Sequence, residues 1–303
     1  MNKIKVVVSG IHYPVTMMGY FIRALERRDD VELITAGPYT GDWIPWEHGM
    51  SVPLKYVKSP SIPLPQQYIR DVGLPSAFLE AQLPWKADLW LQIDAGWWVQ
   101  KPNARVVAHI ATDPHVLPYD AQREQCDFFF NMQKVYMHEG DIYLPYAHDP
   151  LLHKPLDIGK EYDGCLVGLQ YIIRDSLVAA LRGAGYNIEY TMGIVGEEYN
   201  EVYNKSRVAL NWSNLHDLNA RTFEAMGMGV PLLTNRVPDL AEFFEEGEHY
   251  LGFGSVPEAI RQFARLINEP DYAEHIATNA YELSIAKHTW DRRIQQILDT
   301  VFE

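Results

Sequence analysis

The sequence contains few of the features that mark small secreted domains or membrane proteins. Only two of its 303 residues are cysteines, Cys126 and Cys165, which excludes a disulfide scaffold and a thiolate zinc site. No apolar stretch approaches the roughly 18 residues of a membrane-spanning helix, and the first apolar run ends at Gly10, too early for a signal peptide. We therefore expect a cytosolic, cytoplasmic protein without a membrane span.

Basic residues are scarce relative to acidic ones. Lysine and arginine total 26 against 40 aspartates and glutamates, a net charge of −14 that counts against nucleic-acid binding and against a nucleic-acid acceptor. What is present is an apolar fraction of 47% and an aromatic fraction of 12%, which are typical of a packed globular chain. At about 150 residues per domain, the length predicts two domains.

The first half of the sequence contains short, continuous apolar runs, which are typical of strands covered on both faces of a parallel sheet. Helical spacing predicts one amphipathic helix over residues 18–28, and the proline-rich residues 45–84 are predicted to be irregular, with one helix near 76–83. The predicted strands are 3–9, 31–35, 88–93, 105–110, 126–130 and 142–144. These elements predict a Rossmann-like first domain over residues 1–148.

A second alternating series follows a hinge at residues 144–150, where two prolines interrupt helix formation. Its predicted strands are 163–167, 187–191, 207–211 and 230–234, and its predicted helices are 175–182, 198–204, 219–228 and 238–245. Two more helices, 256–268 and 272–286, are predicted to cover this sheet. The fold class is therefore α/β, with two doubly wound parallel sheets facing a cleft and a second domain over residues 149–287.

The densest polar pattern follows the predicted strand 207–211. Asn219 is a good N-cap for the next helix, and Arg221 lies in its first turn, where a cation opposes the helix dipole unless an anion is bound. Free N–H groups beside a guanidinium therefore predict a phosphate or diphosphate site. Glu224 shares the face of Arg221, where a carboxylate could accept two ribose hydroxyls. A surface ion pair between Arg221 and Glu224 is the alternative that spacing leaves open.

Polar residues also follow the predicted strands of the first domain. Gly10 and His12 follow the first strand, where the loop could admit an acceptor or a diphosphate, or where Gly10 could simply make a turn. Asp94 precedes Trp97 and Trp98, a combination typical of a sugar-binding surface, although most tryptophans serve packing.

A further candidate group follows the predicted strand 105–110. Asp113 and His115 emerge at its carboxyl end, where a carboxylate and an imidazole could position an acceptor hydroxyl or take its proton. His109 lies within the strand itself, and a hydrogen-bonded core histidine is the alternative for it. We favour Asp113 as the catalytic residue, followed by His109 and His115.

A longer pattern carries a family resemblance. Residues 221–234, RTFEAMGMGVPLLT, together with residues 238–248 resemble the carboxyl half of group 1 glycosyltransferases of GT-B fold, in the spore-maturation-type glycosyltransferase-like branch. Residues 144–150 resemble the interdomain strand of that family, and residues 288–293 resemble its closing helix. Residues 1–143 match only as an architecture.

The resemblance implies an enzyme that holds a nucleotide-diphosphate sugar mainly on its second domain and an acceptor hydroxyl on its first. It further implies a hexosyltransferase that retains anomeric configuration and needs no metal or other cofactor, with UDP-sugars favoured as donors. Glu224 matches the second glutamate of the family's Glu-x7-Glu motif, which contacts the ribose. His216 stands where the first glutamate belongs, and Asp217 beside it could substitute. Arg221 would face the diphosphate.

The same resemblance bears on the first loop of the second domain and on the C-terminus. In the family this loop approaches the diphosphate, so Gly168 would permit close backbone approach and Arg174 would neutralise charge, unless Arg174 is an ordinary surface arginine. The helix 288–303 would pack back on the first domain with Trp290 as its anchor. The alternative is that this helix only caps the second domain.

Two other functions remain open from the sequence. One is a non-catalytic nucleotide-sugar-binding protein, which His216 in place of a glutamate favours. The other is a sugar epimerase or a phosphorylase on the same fold.

Overall fold

The structure is a computed structural model that describes residues 3–14, 16–42, 58–64, 72–93, 97–215 and 217–303. The chain divides into two compact units. Unit 1 comprises Met1–Pro145 and Trp290–Glu303, and unit 2 comprises Tyr146–Thr289. The boundary expected from the sequence, after residue 148, lies three residues beyond this division. Among the described residues, no helix is both long enough and apolar enough to cross a membrane.

Unit 1 is built on a seven-stranded parallel sheet with the strand order β3-β2-β1-β5-β7-β8-β9, and β4 and β6 form a separate parallel pair. Its strands are β1 (Ile4–Ser9), β2 (Val31–Pro38), β3 (Ile62–Leu64), β4 (Val72–Pro75), β5 (Leu89–Ile93), β6 (Trp97–Gln100), β7 (Val106–Ala111), β8 (Phe128–Asn131) and β9 (Ile142–Tyr143). The helices of this part are α1 (Met17–Glu26), α2 (Ala77–Glu80) and α3 (Asp120–Arg123).

The six strands predicted in this region all lie in the large sheet. The apolar runs of β1, β5 and β7 are buried over most of their length, with Val7, Trp90 and Val107 in one core cluster. The three strands β3, β4 and β6 were not predicted: β3 and β4 lie within the proline-rich segment 45–84, which was predicted to be irregular, and β6 has only four residues. The helix predicted near residues 76–83 is a single turn, Ala77–Glu80.

Unit 2 is built on a five-stranded parallel sheet with the order β11-β10-β12-β13-β14. Its strands are β10 (Tyr162–Val167), β11 (Ile188–Thr191), β12 (Ser206–Asn211), β13 (Leu232–Asn235) and β14 (Leu251–Phe253). Its helices are α4 (Ile172–Gly183), α5 (Gly196–Asn204), α6 (Ala220–Gly227), α7 (Val256–Asn268) and α8 (Pro270–Lys287). Leu166, Leu210, Leu233 and Phe263 meet in one buried core.

The prediction of an α-helix over residues 238–245 is wrong. Only a 3₁₀ turn, Pro238–Glu242, forms there. The adjacent rings of Phe243 and Phe244 both pack on Phe223, with centroids 6.1 and 5.8 Å away. Consecutive residues of an α-helix point about 100° apart, so a continuous helix would turn one of these rings away.

The last helix, α9 (Trp290–Phe302), belongs to unit 1 and packs on α1. Trp290 is fully buried, stacks on Tyr20 at 5.5 Å and meets Phe21 at 4.8 Å. At the edge of this contact Arg27 and Asp291 form an ion pair of 2.8 Å. The apolar stripe of this helix therefore has its partner surface in unit 1.

Candidate functional site

Two arginines meet a glycine with a positive φ angle at the carboxyl end of β10. Gly168 has φ +144°, a conformation that residues with side chains rarely adopt. A Cβ at this position would collide with the guanidinium of Arg221 and would lie 3.8 Å from Nη1 of Arg174. Glycine is therefore favoured here both by the backbone conformation and by the Arg221 guanidinium beside it.

Arg221 is fixed by two strands. Its Nε donates a hydrogen bond of 2.8 Å to the Val167 carbonyl, and its Nη1 donates one of 2.8 Å to Oδ1 of Asn211. Burial acts to lower the pKa of this guanidinium, but neighbours that include Tyr203 and Tyr199 raise it above its ordinary value. The side chain is therefore a rigid, permanent cation in the first turn of α6, at the position that the sequence predicts.

Arg174 is also held in place, and it is not a surface arginine. It is only 6% exposed, and its Nε donates to the Trp212 carbonyl at 2.8 Å while Nη1 donates to the Leu169 carbonyl at 2.7 Å. Its guanidinium lies 4.9 Å from the centroid of the Tyr171 ring. Burial and, after it, repulsion from Arg221 lower the pKa of Arg174 to about 10, so the group remains charged at neutral pH.

The two cations share an unusual electrostatic position. Arg174 lies in the first turn of α4 and Arg221 in the first turn of α6, where both helix dipoles are positive. Within the part of the chain that is described, neither arginine forms an ion pair with a carboxylate. Like charges brought together at two helix N-termini favour an anion between them, and a phosphate or diphosphate supplies that charge.

Glu224 lies one turn after Arg221 on α6, but it is not half of a surface ion pair. Its carboxylate is 7% exposed, and its Oε2 accepts a hydrogen bond of 2.7 Å from the Tyr199 hydroxyl. Nε2 of His153 lies 3.9 Å from its Oε1. Phe223 and Met226 of the same helix are fully buried in the core.

The loop between β12 and α6 is tied to the sheet by hydrogen bonds. Asp217 accepts a short hydrogen bond from the Ser213 hydroxyl, and the Ser213 N–H donates to Oδ1 of Asn235 at 2.7 Å. His216, the residue that stands at the first glutamate of the motif, lies outside the described residues. The described residues contain no group of three or more histidines, cysteines, aspartates or glutamates arranged to hold a metal ion.

In unit 1 the structure brings Asp113 and His115 together in the turn that follows β7. The Val116 N–H donates to the Asp113 carbonyl at 3.0 Å, and the Asp113 carboxylate accepts from the Thr112 hydroxyl at 3.0 Å. The His115 ring lies 6.0 Å from that of Tyr136, on the loop after β8. Both candidates are half-buried, so both reach solvent at the carboxyl end of the sheet.

His109 occupies a core position instead. Its side chain is fully buried, its ring stacks on Phe129 at 5.7 Å, and it meets Tyr119 edge-on at 5.5 Å. An imidazole without exposed surface cannot touch a substrate in this conformation. We therefore correct the assignment of His109 as a catalytic residue. It is a core histidine, which is the alternative that the sequence left open.

The loop after β1 is shaped by packing. A Cβ at Gly10 would lie 2.6 Å from the Ile93 carbonyl oxygen, and Gly37 at φ +149° packs directly on the Gly10 carbonyl. His12 is buried, and burial lowers the pKa of its imidazole to about 4. Close packing therefore accounts for the glycine at position 10, and His12 is a buried residue of the same loop. Asp94 lies outside the described residues, and Trp97 is 1% exposed and so serves packing.

Residues 154–299, nearly half of the chain, match a family model described as Glycosyl transferase-like. A comparison with curated proteins found no significant match. Among solved structures the chain is similar to a sucrose-phosphate synthase from Thermosynechococcus elongatus, with TM-score 0.64, 11% identity, and coverage of 99% of each chain. It is also similar to Anabaena HepE in complex with UDP and glucose, with TM-score 0.63, 11% identity, and coverage of 98% and 99%.

A third similar structure is an alpha-glucosyltransferase in complex with UDP and a 13-mer DNA, with TM-score 0.62, 10% identity, and coverage of 99% and 100%. The chain has the GT-B glycosyltransferase fold. The predicted fold class is thus confirmed, and the family model and the fold together support the resemblance to group 1 glycosyltransferases.

Several residues of the candidate site were not predicted from the sequence. Asn211 accepts from Arg221 and also from Nδ2 of Asn219, at 3.3 Å, and it ends a buried apolar strand. A lone amide at the end of such a run was a usable signal. No pattern in the sequence marked Tyr199 or His153, because their contact with Glu224 depends on tertiary packing between segments far apart in the sequence.

Proposed function

We propose that this chain is a hexosyltransferase of the spore-maturation-type branch, with a nucleotide-diphosphate sugar as donor and an acceptor hydroxyl as partner. UDP-sugars are the favoured donors, no metal or other cofactor takes part, and the cytoplasm is the site of action. The observation that carries the proposal is the pair Arg174 and Arg221 around Gly168, two fixed cations without a carboxylate partner among the described residues.

The arginine pair suits the chemistry of sugar transfer. The bond between the sugar C1 and the diphosphate oxygen breaks, and its electron pair leaves with the diphosphate. A bond forms between C1 and the acceptor oxygen, whose proton is taken up by a nearby base. Cations held in place before the reaction stabilise the charge that develops on the departing diphosphate without further reorganisation. Positioning then supplies much of the remaining acceleration, and we expect the anomeric configuration to be retained.

We assign the acceptor to unit 1. Asp113 lies at the carboxyl end of β7, where ligands of parallel sheets bind, and its carboxylate would orient the acceptor hydroxyl or take its proton. The loops around it present an exposed apolar surface, because Val116 and Val135 are 65% and 72% exposed. A carboxylate next to apolar side chains suits an acceptor that has both a hydroxyl and an apolar part.

The donor site is tested by calorimetric titration with UDP. Arg221→Ala should weaken UDP binding by about 1.5 to 3 kcal/mol, the range of a charge-assisted hydrogen bond. Glu224→Gln should weaken it less. Arg261→Ala removes an exposed arginine of α7 and is the matched control, which should bind UDP like the wild type. Unchanged affinity in both site variants would place the nucleotide elsewhere.

Catalysis is tested separately, by measuring UDP release from UDP-sugars with and without added acceptors. A transferase releases UDP and yields a glycoside, whose anomeric configuration is read by NMR, and a chelator should leave the rate unchanged. UDP binding without turnover against a broad set of acceptors would identify a non-catalytic binding protein. Interconversion of donor sugars, or a reaction that requires free phosphate, would identify an epimerase or a phosphorylase.

A further inference from the structure

The Glu224 carboxylate is held from two sides by side chains of other segments. The Tyr199 hydroxyl of α5 donates to Oε2 at 2.7 Å, and Nε2 of His153, from the segment that precedes β10, lies 3.9 Å from Oε1. His153 is 1% exposed, and its ring meets Tyr199 edge-on at 5.9 Å. Each carboxylate oxygen therefore faces a different polar side chain.

The backbone determines which nitrogen of His153 faces Glu224 with a proton. The Asp149 N–H donates to Nδ1 of His153 at 3.2 Å, so Nδ1 is an acceptor and the neutral ring carries its proton on Nε2. Asp149 is itself buried, and its carbonyl accepts from the His153 N–H at 2.7 Å. The imidazole therefore carries its N–H on the nitrogen that lies 3.9 Å from Oε1. The two hydrogen bonds between Asp149 and His153 fix the segment from which the ring projects.

Two tyrosines of helix α5 also act on the polar residues of α6. Burial, and after it the Glu224 charge, raise the pKa of Tyr199 well above its ordinary value, so the hydroxyl keeps its proton and remains a donor. Tyr203, one turn later on α5, lies 4.7 Å from the Tyr199 ring and, with it, raises the pKa of Arg221. One face of α5 thus contacts both donor-site residues of α6.

We propose that His153 and Tyr199 are positioning residues, which hold the Glu224 carboxylate in the orientation that accepts the ribose hydroxyls of the donor nucleotide. The inference rests on the proposed function. A carboxylate on a flexible glutamate side chain would have to be ordered when the nucleotide binds. The Tyr199 hydrogen bond and the nearby His153 imidazole order it beforehand, and each oxygen keeps lone pairs for a ligand.

If His153 and Tyr199 only stabilised the buried Glu224 carboxylate, their substitution would weaken the binding of both ligands below equally. A comparison of the two ligands therefore distinguishes a structural role from a positioning role. UDP and 2′-deoxy-UDP differ only in one ribose hydroxyl. Their affinities are measured by calorimetry on the same sample of each variant, so the fraction of folded protein cancels from the ratio. We expect wild type to prefer UDP by about tenfold, since the lost hydrogen bond is charge-assisted.

Tyr199→Phe and His153→Leu should each reduce this preference at least threefold, and His153→Gln, which keeps a donor near the position of Nε2, should restore part of it. Tyr272→Phe is the matched control, because it removes a hydroxyl that donates to the Gly247 carbonyl at 3.0 Å elsewhere in unit 2. It should leave the preference unchanged.

The remaining outcomes separate this inference from the function on which it rests. An unchanged preference in Tyr199→Phe and His153→Leu, with equal losses for both ligands, would overturn the positioning role and leave the glycosyltransferase proposal intact. Equal binding of the two ligands by wild type would do the same, because Glu224 would not be the ribose ligand. A wild type that binds neither nucleotide would overturn the proposed function and this inference together.

Discussion

The guanidinium of Arg221 fills the space that a side chain at position 168 would need. Because this guanidinium is held by the Val167 carbonyl and by Asn211, it cannot move aside without losing both hydrogen bonds. The glycine and the arginine, 53 positions apart in the sequence, are therefore packed as one feature of the proposed donor site.

Gly168→Ala tests this relationship. The alanine would have to adopt φ +144°, so we expect the free energy of unfolding to fall by about 1 to 3 kcal/mol. Displacement of Arg221 should also weaken UDP binding about tenfold. Urea denaturation and calorimetry give the two values. Gly183→Ala, at the end of α4 with open space around it, should not lower stability and should leave UDP affinity unchanged. UDP affinity equal to that of wild type would show that the Gly168–Arg221 packing is irrelevant to the site.

Asp113→Asn should lower turnover at least about tenfold while UDP affinity stays nearly constant, because the acceptor and the donor are assigned to different units. The measurement is the steady-state rate of UDP release together with calorimetry. Asp120→Asn changes an exposed aspartate at the start of α3 and is the control. Full turnover in Asp113→Asn would remove this carboxylate from the mechanism.

The pKa of His12 predicts a pH dependence of stability. Burial lowers this pKa from 6.5 to about 4, so the unfolded chain binds a proton in a pH range where the folded chain does not. Stability is therefore lost as the pH falls from about 6.5 towards 4, and the loss at pH 5 is about 2 kcal/mol.

We expect His12→Asn to lack this part of the loss when urea denaturation at pH 7.5 and pH 5 is compared. His275→Gln removes an exposed histidine of α8 and should keep the wild-type difference. Identical pH dependence in His12→Asn and wild type would contradict the low pKa.

Trp290→Ala should lower the free energy of unfolding by about 3 to 5 kcal/mol, as expected for a fully buried indole. Trp290→Phe should cost less, because no described residue accepts a hydrogen bond from this indole N–H and only packing is lost. Trp85→Ala, at a half-buried position, should also cost less. An unchanged free energy of unfolding in Trp290→Ala, measured by urea denaturation, would show that α9 contributes little to unit 1.

The fold was accessible from the sequence where elements are long and their environment is uniform. The buried runs of β1, β5 and β10 are continuous, and such runs are specific for parallel sheets. The helix prediction for residues 238–245 failed because the packing of Phe243 and Phe244 on Phe223, rather than local helical spacing, determines the conformation of this segment.

Only part of the candidate site could be predicted from the sequence. Arg221 was found because helix start signals are local and a cation there conflicts with the dipole. The burial of Arg174 was not predictable, because it depends on carbonyl groups of Leu169 and Trp212 from two different loops. His109 was misassigned because position on a strand does not reveal which ring packs against it, and here Phe129 does.

The paired charges of Arg174 and Arg221 also affect how any binding measurement should be designed. In solution a small anion such as inorganic phosphate or sulfate can screen the repulsion between them. We expect a nucleotide that binds at the proposed donor site to displace that anion, which would make its binding an exchange reaction. Its apparent affinity depends on the buffer, and UDP should bind more weakly in phosphate than in an amine buffer of equal ionic strength.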